Sequence, residues 1–226
     1  MCFALRRPGL RAAPGSVAPT VYLAHMTLAN ALLGSPACTG CGHRDGPVCS
    51  SCLAHLRPPD RLPTVPGIDR VVAAWEHDGA ARSLVLDLKL GGRRWAARPL
   101  AAAMCAAAAR AGVTGDSVTW VPGRRRDTRE RGYDHAEVLA REVARRLGIR
   151  PARLLVRLRL AEDQATLTAR ERFANLAGAF AARPEAGPVV LVDDVVTTGA
   201  TAAACASALR AAGAARIELL AACRKS

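Results

Sequence analysis

The run Val189-Val-Leu-Val-Asp193-Asp194-Val-Val-Thr197-Thr198-Gly199-Ala200-Thr201 decides how this chain is read. Four consecutive apolar residues, without polar alternation, are what a strand buried on both faces of a parallel sheet requires. Two adjacent acids follow, then a small-residue turn that opens a helix. Backbone amides of residues 198–201, the helix N-terminus and the threonine hydroxyls together suit a phosphate monoester. Paired carboxylates at a strand's carboxyl end, where open α/β sheets bind ligands, suit the vicinal hydroxyls of a sugar. The combination predicts a ribose 5-phosphate site. The run lacks the lysine of a Walker loop and the Gly-x-Gly-x-x-Gly of a dinucleotide fold. A turn with a single aspartate cap would explain one acid and one threonine, and nothing more of the run.

Outward from this segment, strand and helix patterns alternate. Val71–Trp75 reads as a strand and Gly79–Leu90 as a helix ending at Gly91-Gly92. Residues 97–111, rich in alanine, read as a second helix, and Ser117–Val121 as a strand running into an arginine-rich loop. His135–Leu147 places Ala136, Leu139, Ala140, Val143 and Leu147 on one helical face, and Gly148 ends it. Leu154–Leu158 is a strand candidate, as is Ile217–Ala222 after a helix from Thr201 to Ala212. Such alternation implies right-handed βαβ units, a parallel sheet and the α/β class. Hydrophobic residues make up 50% of the 226-residue chain but only 4% are aromatic, which favours alanine-rich helices on a sheet over a β-sandwich.

Upstream, Cys38-Thr-Gly-Cys41 and Cys49-Ser-Ser-Cys52 form two CxxC turns separated by seven residues. Four thiolates at that spacing converge on one tetrahedral Zn²⁺ and leave no position for water, so the site is structural. A redox CxxC pair and free core cysteines are the competing readings. Cys205 and Cys223 lack partner spacing and are expected in the core. Residues 1–25 read as a disordered leader, with Met26 an alternative start, and a short helix is expected over Thr27–Leu33. The knuckle segment spans 26–56, a Pro-rich linker or rigid crossing spans 57–67, and 68–226 forms the main domain. No run approaches the ~18 apolar residues of a membrane span. With no convincing export signal, paired cysteines and a cytoplasmic location go together.

The formal charge is +13, nearly all of it arginine, with Lys89 and Lys225 the only lysines. That balance fits polyanionic partners, and it equally fits an arginine- and alanine-rich coding bias. Arg124, Arg125, Arg126, Arg129 and Arg131 lie within eight residues, a patch that is solvated or contacts nucleic acid.

The Val189–Thr201 run resembles the PRPP-binding signature of type I phosphoribosyltransferases. The resemblance implies that Asp193 and Asp194 hold the ribose 2- and 3-hydroxyls while Thr197, Thr198, Gly199, Ala200 and Thr201 hold the 5-phosphate. Purine-specific members often carry an acid where Thr197 stands, so purine salvage is disfavoured. The two CxxC pairs, Trp75, Leu88-Lys89-Leu90-Gly91-Gly92, Val121-Pro122, Arg129-Glu-Arg131-Gly132-Tyr133, Gln164-x-x-Leu167 and Arg172-x-x-Asn175, in that order, together resemble the ComF family. Members of that family join a cysteine knuckle to a phosphoribosyltransferase-like domain. The family's Asn-Gln after the aromatic residue is replaced here by Asp134-His135, which alters hydrogen bonding beside the expected pyrophosphate; a helix-start histidine is ordinarily solvated.

The resemblance implies transfer of a 5-phosphoribosyl group from Mg²⁺-PRPP to a nitrogen acceptor. Lys89, Arg124 and Arg131 would stabilise the leaving pyrophosphate, with residues 160–178 as a lid. A snorkelling helix-end lysine is the alternative for Lys89. A second reading is a non-catalytic single-stranded-DNA-binding accessory of DNA uptake, with the uptake machinery as partner. A third is an orotate-type salvage enzyme, which the knuckle disfavours.

Overall fold

Val189, Val190, Leu191 and Val192 are all fully buried because they lie in a central strand covered on both faces. The computed structural model describes residues 37–44, 46–158 and 178–226. The helix expected over Thr27–Leu33, the leader, the Gln164 and Arg172 motifs and nearly all of the expected lid lie outside the described residues.

The knuckle contributes a short helix α1 (Ser50–Ala54). Then follow β1 (Arg70–Glu76), α2 (Gly79–Lys89), a 3₁₀ turn (Arg94–Ala96) and α3 (Ala97–Ala111). The middle holds β2 (Ser117–Trp120), α4 (Arg125–Arg131), α5 (His135–Leu147), β3 (Arg150–Pro151) and β4 (Leu155–Arg157). The chain closes with β5 (Phe180–Ala182), β6 (Pro188–Val196), α6 (Ala200–Ala211) and β7 (Arg216–Arg224).

Five strands form one sheet in the order β1-β7-β6-β2-β3, and every pairing in it is parallel. Alternation along each strand splits the core in two. Val190, Val192, Leu220 and Ala222 face α2, α3 and α5, meeting Leu84, Leu88, Leu100, Met104, Leu139 and Val143. Val189, Leu191, Ile217, Leu219 and Ala221 face α6 and meet Ala202, Cys205, Ala206 and Leu209. Helices therefore cover both faces, and the expected α/β class holds. Each fully buried leucine contributes roughly 1.5–3 kcal/mol of transfer free energy. Cys205 and Cys223 are both buried in this core, as expected.

Three local readings change. The segment after Pro122 is not a plain loop: residues 125–131 form α4, with Asp127 in its first turn and Arg129 and Arg131 in its last. That distribution suits the helix dipole, and Arg126 pairs with Glu130 one turn on at 2.9 Å. The Leu154–Leu158 candidate forms β4 but stays out of the main sheet, pairing antiparallel with β5 in a separate two-stranded sheet. Finally, β6 runs through both acids to Val196, because β7 continues the ladder beside it to Arg224.

In the Pro-rich stretch Val65 is buried and its carbonyl accepts from Ile68 N, while Arg57 O accepts from Glu76 N. The stretch is therefore anchored to the sheet at these points, with most of its residues exposed.

Candidate functional site

The strand order places the site. After β2 the chain moves outward to β3, then returns across β2 to lay down β6 and β7 on its other side. The loops leaving β2 and β6 diverge at this reversal, at the carboxyl ends of the strands, where open α/β sheets carry their ligand crevice. In such a crevice residues 121–131, after β2, would form one wall and 193–201, at the end of β6, the other.

The β6 wall is a strand, a turn and a helix start. Thr197 and Thr198 are exposed, and Ala200 N donates to Thr198 Oγ1 at 3.4 Å. Gly199 stands at the N-cap of α6 with φ +77°, in the left-handed region. An added Cβ there would lie 2.3 Å from Val65 Cγ2, so the Pro-rich crossing packs directly beneath the loop.

The two acids have different surroundings. Successive strand side chains leave opposite faces. Asp194 lies on the α2/α5 face, where its Oδ2 is 3.1 Å from Lys89 Nζ and 3.1 Å from His135 Nε2, while Oδ1 accepts from Val195 N. Nζ and Nε2 thus approach the same carboxylate oxygen. Burial alone would raise the Asp194 carboxyl, but His135 and Lys89 outweigh it and hold the group well below the usual carboxylate range. Asp193 is half-buried, and its Oδ1 accepts from Asp194 N at 2.9 Å. Burial and then the neighbouring Asp194 charge push its carboxyl well above that range. One acid is thus held as a carboxylate and the other toward the protonated form.

His135 is 6% exposed, contrary to the expectation of a solvated histidine. Its neighbour Asp134 is a structural cap: Oδ1 accepts from Ala136 N at 3.0 Å and Oδ2 from Gly123 N at 3.1 Å. This pins the Pro122-Gly123 turn to the start of α5.

Lys89, Arg124 and Arg131 end up in different surroundings. Lys89 closes α2 and reaches Asp194 with its side chain 41% exposed. Arg131 is turned inward, donating to Asp127 O at 2.9 Å and to Lys89 O at 2.5 Å. Tyr133 Oη donates to Leu88 O at 2.5 Å, and Arg94 covers the Tyr133 ring at 4.5 Å. Together these contacts fasten the α4–α5 corner onto the end of α2. Arg124 is exposed at the start of α4.

Sequence reasoning passed over Arg157. It sits on β4 with its guanidinium 4.7 Å above the Phe180 ring, and Nε donates to Pro122 O at 3.2 Å. Burial lowers its proton affinity, while Asp193 and Asp134 act the other way. Nothing in a lone Leu-Val-Arg triplet announces this, since the contact partner Phe180 is 23 positions away.

The knuckle cysteines converge. Sulfurs of Cys38, Cys41, Cys49 and Cys52 all lie within 4.8 Å of one another, and Cys41 and Cys49 are 3.6 Å apart. Zinc–sulfur bonds of about 2.3 Å at tetrahedral angles put sulfurs about 3.8 Å apart, so the cage fits such an ion after small adjustments. Backbone amides already point at the sulfurs: Gly40 N and Cys49 N donate to Cys38 Sγ at 3.4 and 3.3 Å, and Cys52 N to Cys49 Sγ at 3.4 Å. The knuckle is docked on α2, the helix that ends in Lys89. Thr39 Oγ1 donates to Asp87 Oδ2 at 2.7 Å, and Gly40 leaves room for Ala80, whose Cβ would lie 2.9 Å from a Cβ at that position.

A groove of about 440 Å³ lies elsewhere, between Pro58, Pro59, Leu62 and the edge strand β1, and includes none of these site residues. Among the described residues no helix is long and apolar enough to cross a membrane.

Fold and site thus define a doubly wound parallel α/β protein with a four-cysteine cluster and a group of charged side chains at the sheet's switch point. No family model matches the chain. Over 112 residues it is 37% identical to the protein called DNA utilization protein YhgH in Salmonella typhi, and equally to that of Salmonella typhimurium and of Escherichia coli. The match covers 48% of this chain, which spans about half (49%) of the length of those relatives. Among solved structures it is similar to the allosteric regulatory enzyme of purine biosynthesis (24% identity, TM-score 0.39, 56% of this chain and 25% of that one). It is likewise similar to glutamine PRPP amidotransferase from B. subtilis (25% identity, TM-score 0.39, 56% of this chain and 26% of that one).

Proposed function

We propose that the crevice binds Mg²⁺-PRPP and that the chain is a ComF-like phosphoribosyltransferase, moving the 5-phosphoribosyl group to a nitrogen acceptor with release of pyrophosphate. The observation that carries this is the β6 segment: paired acids at the end of a central strand, then a hydroxyl-rich turn opening α6 at the switch point. In this reading residues 197–201 hold the 5-phosphate and the acids the ribose hydroxyls, with Asp193 the more accessible of the two. Mg²⁺ enters with the substrate and supplies charge neutralisation on the diphosphate. Lys89 and Arg124 face that diphosphate, and Arg131 acts by fixing the main chain of Lys89. The four cysteines hold Zn²⁺ as a structural ion. Knuckle segment 26–56 and main domain 68–226 follow as the working division.

Calorimetric titration of the metal-loaded protein with Mg²⁺-PRPP, beside an Asp193→Asn/Asp194→Asn variant, tests the site. Binding by the parent and not by the variant supports it and justifies screening amines and bases for pyrophosphate release. No binding in either protein refutes it.

A second reading rests on the relatives' name and on the exposed arginines of α4: a single-stranded-DNA-binding accessory of DNA uptake. Affinity for an oligothymidine that falls steeply with salt, without PRPP turnover, would favour it. Orotate-dependent pyrophosphate release would instead point to a salvage enzyme.

A further inference from the structure

Arg157 is a cation without a counter-charge. Among the described residues, half-buried Arg131, Arg210 and Arg216 are each ion-paired with a carboxylate, whereas half-buried Arg157 and Arg224 are not. Of these two, Arg157 is held in place beside the candidate site. Its guanidinium lies 4.7 Å from the centre of the Phe180 ring, and Nε donates to Pro122 O at 3.2 Å. Neither terminal nitrogen makes a hydrogen bond among the described residues. Taking a guanidinium partly out of water without a carboxylate costs free energy that an incoming anion would offset. Its planar fork of N–H donors matches two oxygens of a phosphate.

The supports of Arg157 fix its side of the sheet. β4 and β5 place Arg157 opposite Phe180, and this two-stranded sheet packs on α6. Leu155 and Phe180 share the core beneath α6 with Val121, Leu191 and Cys205. Pro122 belongs to the turn leaving β2 that Asp134 pins. Asp193 follows Val189 and Leu191 in steps of two, so it leaves β6 on this same side. The charges of Arg124 and Asp193 both reach Arg157, as they should for a group between the turn after β2 and the end of β6. Lys89 approaches Asp194 from the other side, where α2 and α5 lie.

We propose that Arg157 is a ligand-binding residue for the 5-phosphate end of a phosphoribosyl group, on the opposite side of the sheet from Lys89 at the diphosphate end. The candidate loop 197–201 opens α6, the helix on which β4 and β5 pack, so a phosphate seated there lies on the Arg157 side. It would meet the amides of the helix start on one flank and the guanidinium on the other. The Phe180 ring and Pro122 O act by positioning: they hold the fork before ligand arrives, which lowers the ordering cost of binding. The inference rests on the PRPP reading of the site.

The test is calorimetric titration of the full metal-loaded chain with ribose 5-phosphate and, separately, with Mg²⁺-PRPP. Wild type is compared with Arg157→Met, Arg157→Lys and Lys89→Met. Arg157→Met is expected to weaken both ligands about tenfold or more, the usual result of losing charge-assisted hydrogen bonds. Lys89→Met is expected to weaken Mg²⁺-PRPP and to leave ribose 5-phosphate, which has no diphosphate, unchanged. Arg157→Lys keeps the charge and the stem, so it should melt with wild type and lose part of the ribose 5-phosphate affinity with the planar fork. Ribose 5-phosphate binding that is equal in wild type and both Arg157 variants, or absent from a wild type that binds Mg²⁺-PRPP, overturns the inference and leaves the PRPP site standing. An Arg157→Met protein that does not fold, beside an Arg157→Lys protein of wild-type affinity, assigns the residue to the fold alone and overturns it too. No binding of either ligand by wild type overturns both readings.

Discussion

Gly199→Ala probes the point where the Pro-rich crossing meets the candidate phosphate loop. Two penalties follow from geometry. Gly199 has φ +77°, and an L-residue in that region costs about 1–2 kcal/mol. Its new methyl would also sit 2.3 Å from Cγ2 and 3.3 Å from Cβ of buried Val65, an overpacking that typically costs about 1–3 kcal/mol. The sum is about 2–5 kcal/mol. At roughly 2–4 °C per kcal/mol for a chain of this size, Tm should fall by about 4–20 °C. Val65→Ala separates the contributions. Alone it destabilises through its cavity, by roughly 1.5 kcal/mol or more. Combined with Gly199→Ala it removes the clash and leaves the backbone penalty. Chemical denaturation of all four proteins should therefore show the double variant more stable than the sum of the singles, by about 1–3 kcal/mol. A Gly199→Ala protein melting within about 1 °C of wild type, or strictly additive losses, would refute the contact and the anchoring of the crossing with it.

Other outcomes follow from the same geometry. Asp134→Ala removes an N-cap and the anchor of Gly123, so stability should drop by about 1–2 kcal/mol in denaturant melts, with Asp134→Asn retaining most of it. Cys41→Ser should abolish stoichiometric metal measured by atomic emission, and chelation should lower the Tm of wild type because the knuckle braces α2. Asp193, whose folded carboxyl is raised, carries a penalty that is absent below its unfolded value of about 3.9 and grows as pH rises above it. Asp193→Asn should therefore melt higher than wild type at pH 7 and level with it near pH 3. Asp194, whose folded carboxyl is depressed, stabilises above its unfolded value and loses that stabilisation as pH falls, so Asp194→Asn should melt lower at pH 7.

Much of this architecture was legible from pattern alone. Helices α3 and α5 begin and end where apolar spacing and the stops at Gly112 and Gly148 place them. The four buried residues ahead of Asp193 could only be a covered strand, and the cysteine spacing alone foretold a four-sulfur cluster. These features are local: propensity, periodicity and ligand spacing act over a few residues. Tertiary structure decided the rest. Whether β6 stopped at Val192 or ran on to Val196 depended on β7 alongside it. That Asp193 and Asp194 part company, that His135 is buried against Asp194, that Arg131 turns in to the carbonyl of Lys89 and that Arg157 lies over Phe180 all depend on elements brought together from distant positions. A side chain's charge state and role follow from what the fold places within a few ångströms of it. For these residues those neighbours are 23 to 105 positions away in sequence, except for the adjacent acid pair, whose separation comes from the alternation of the strand itself.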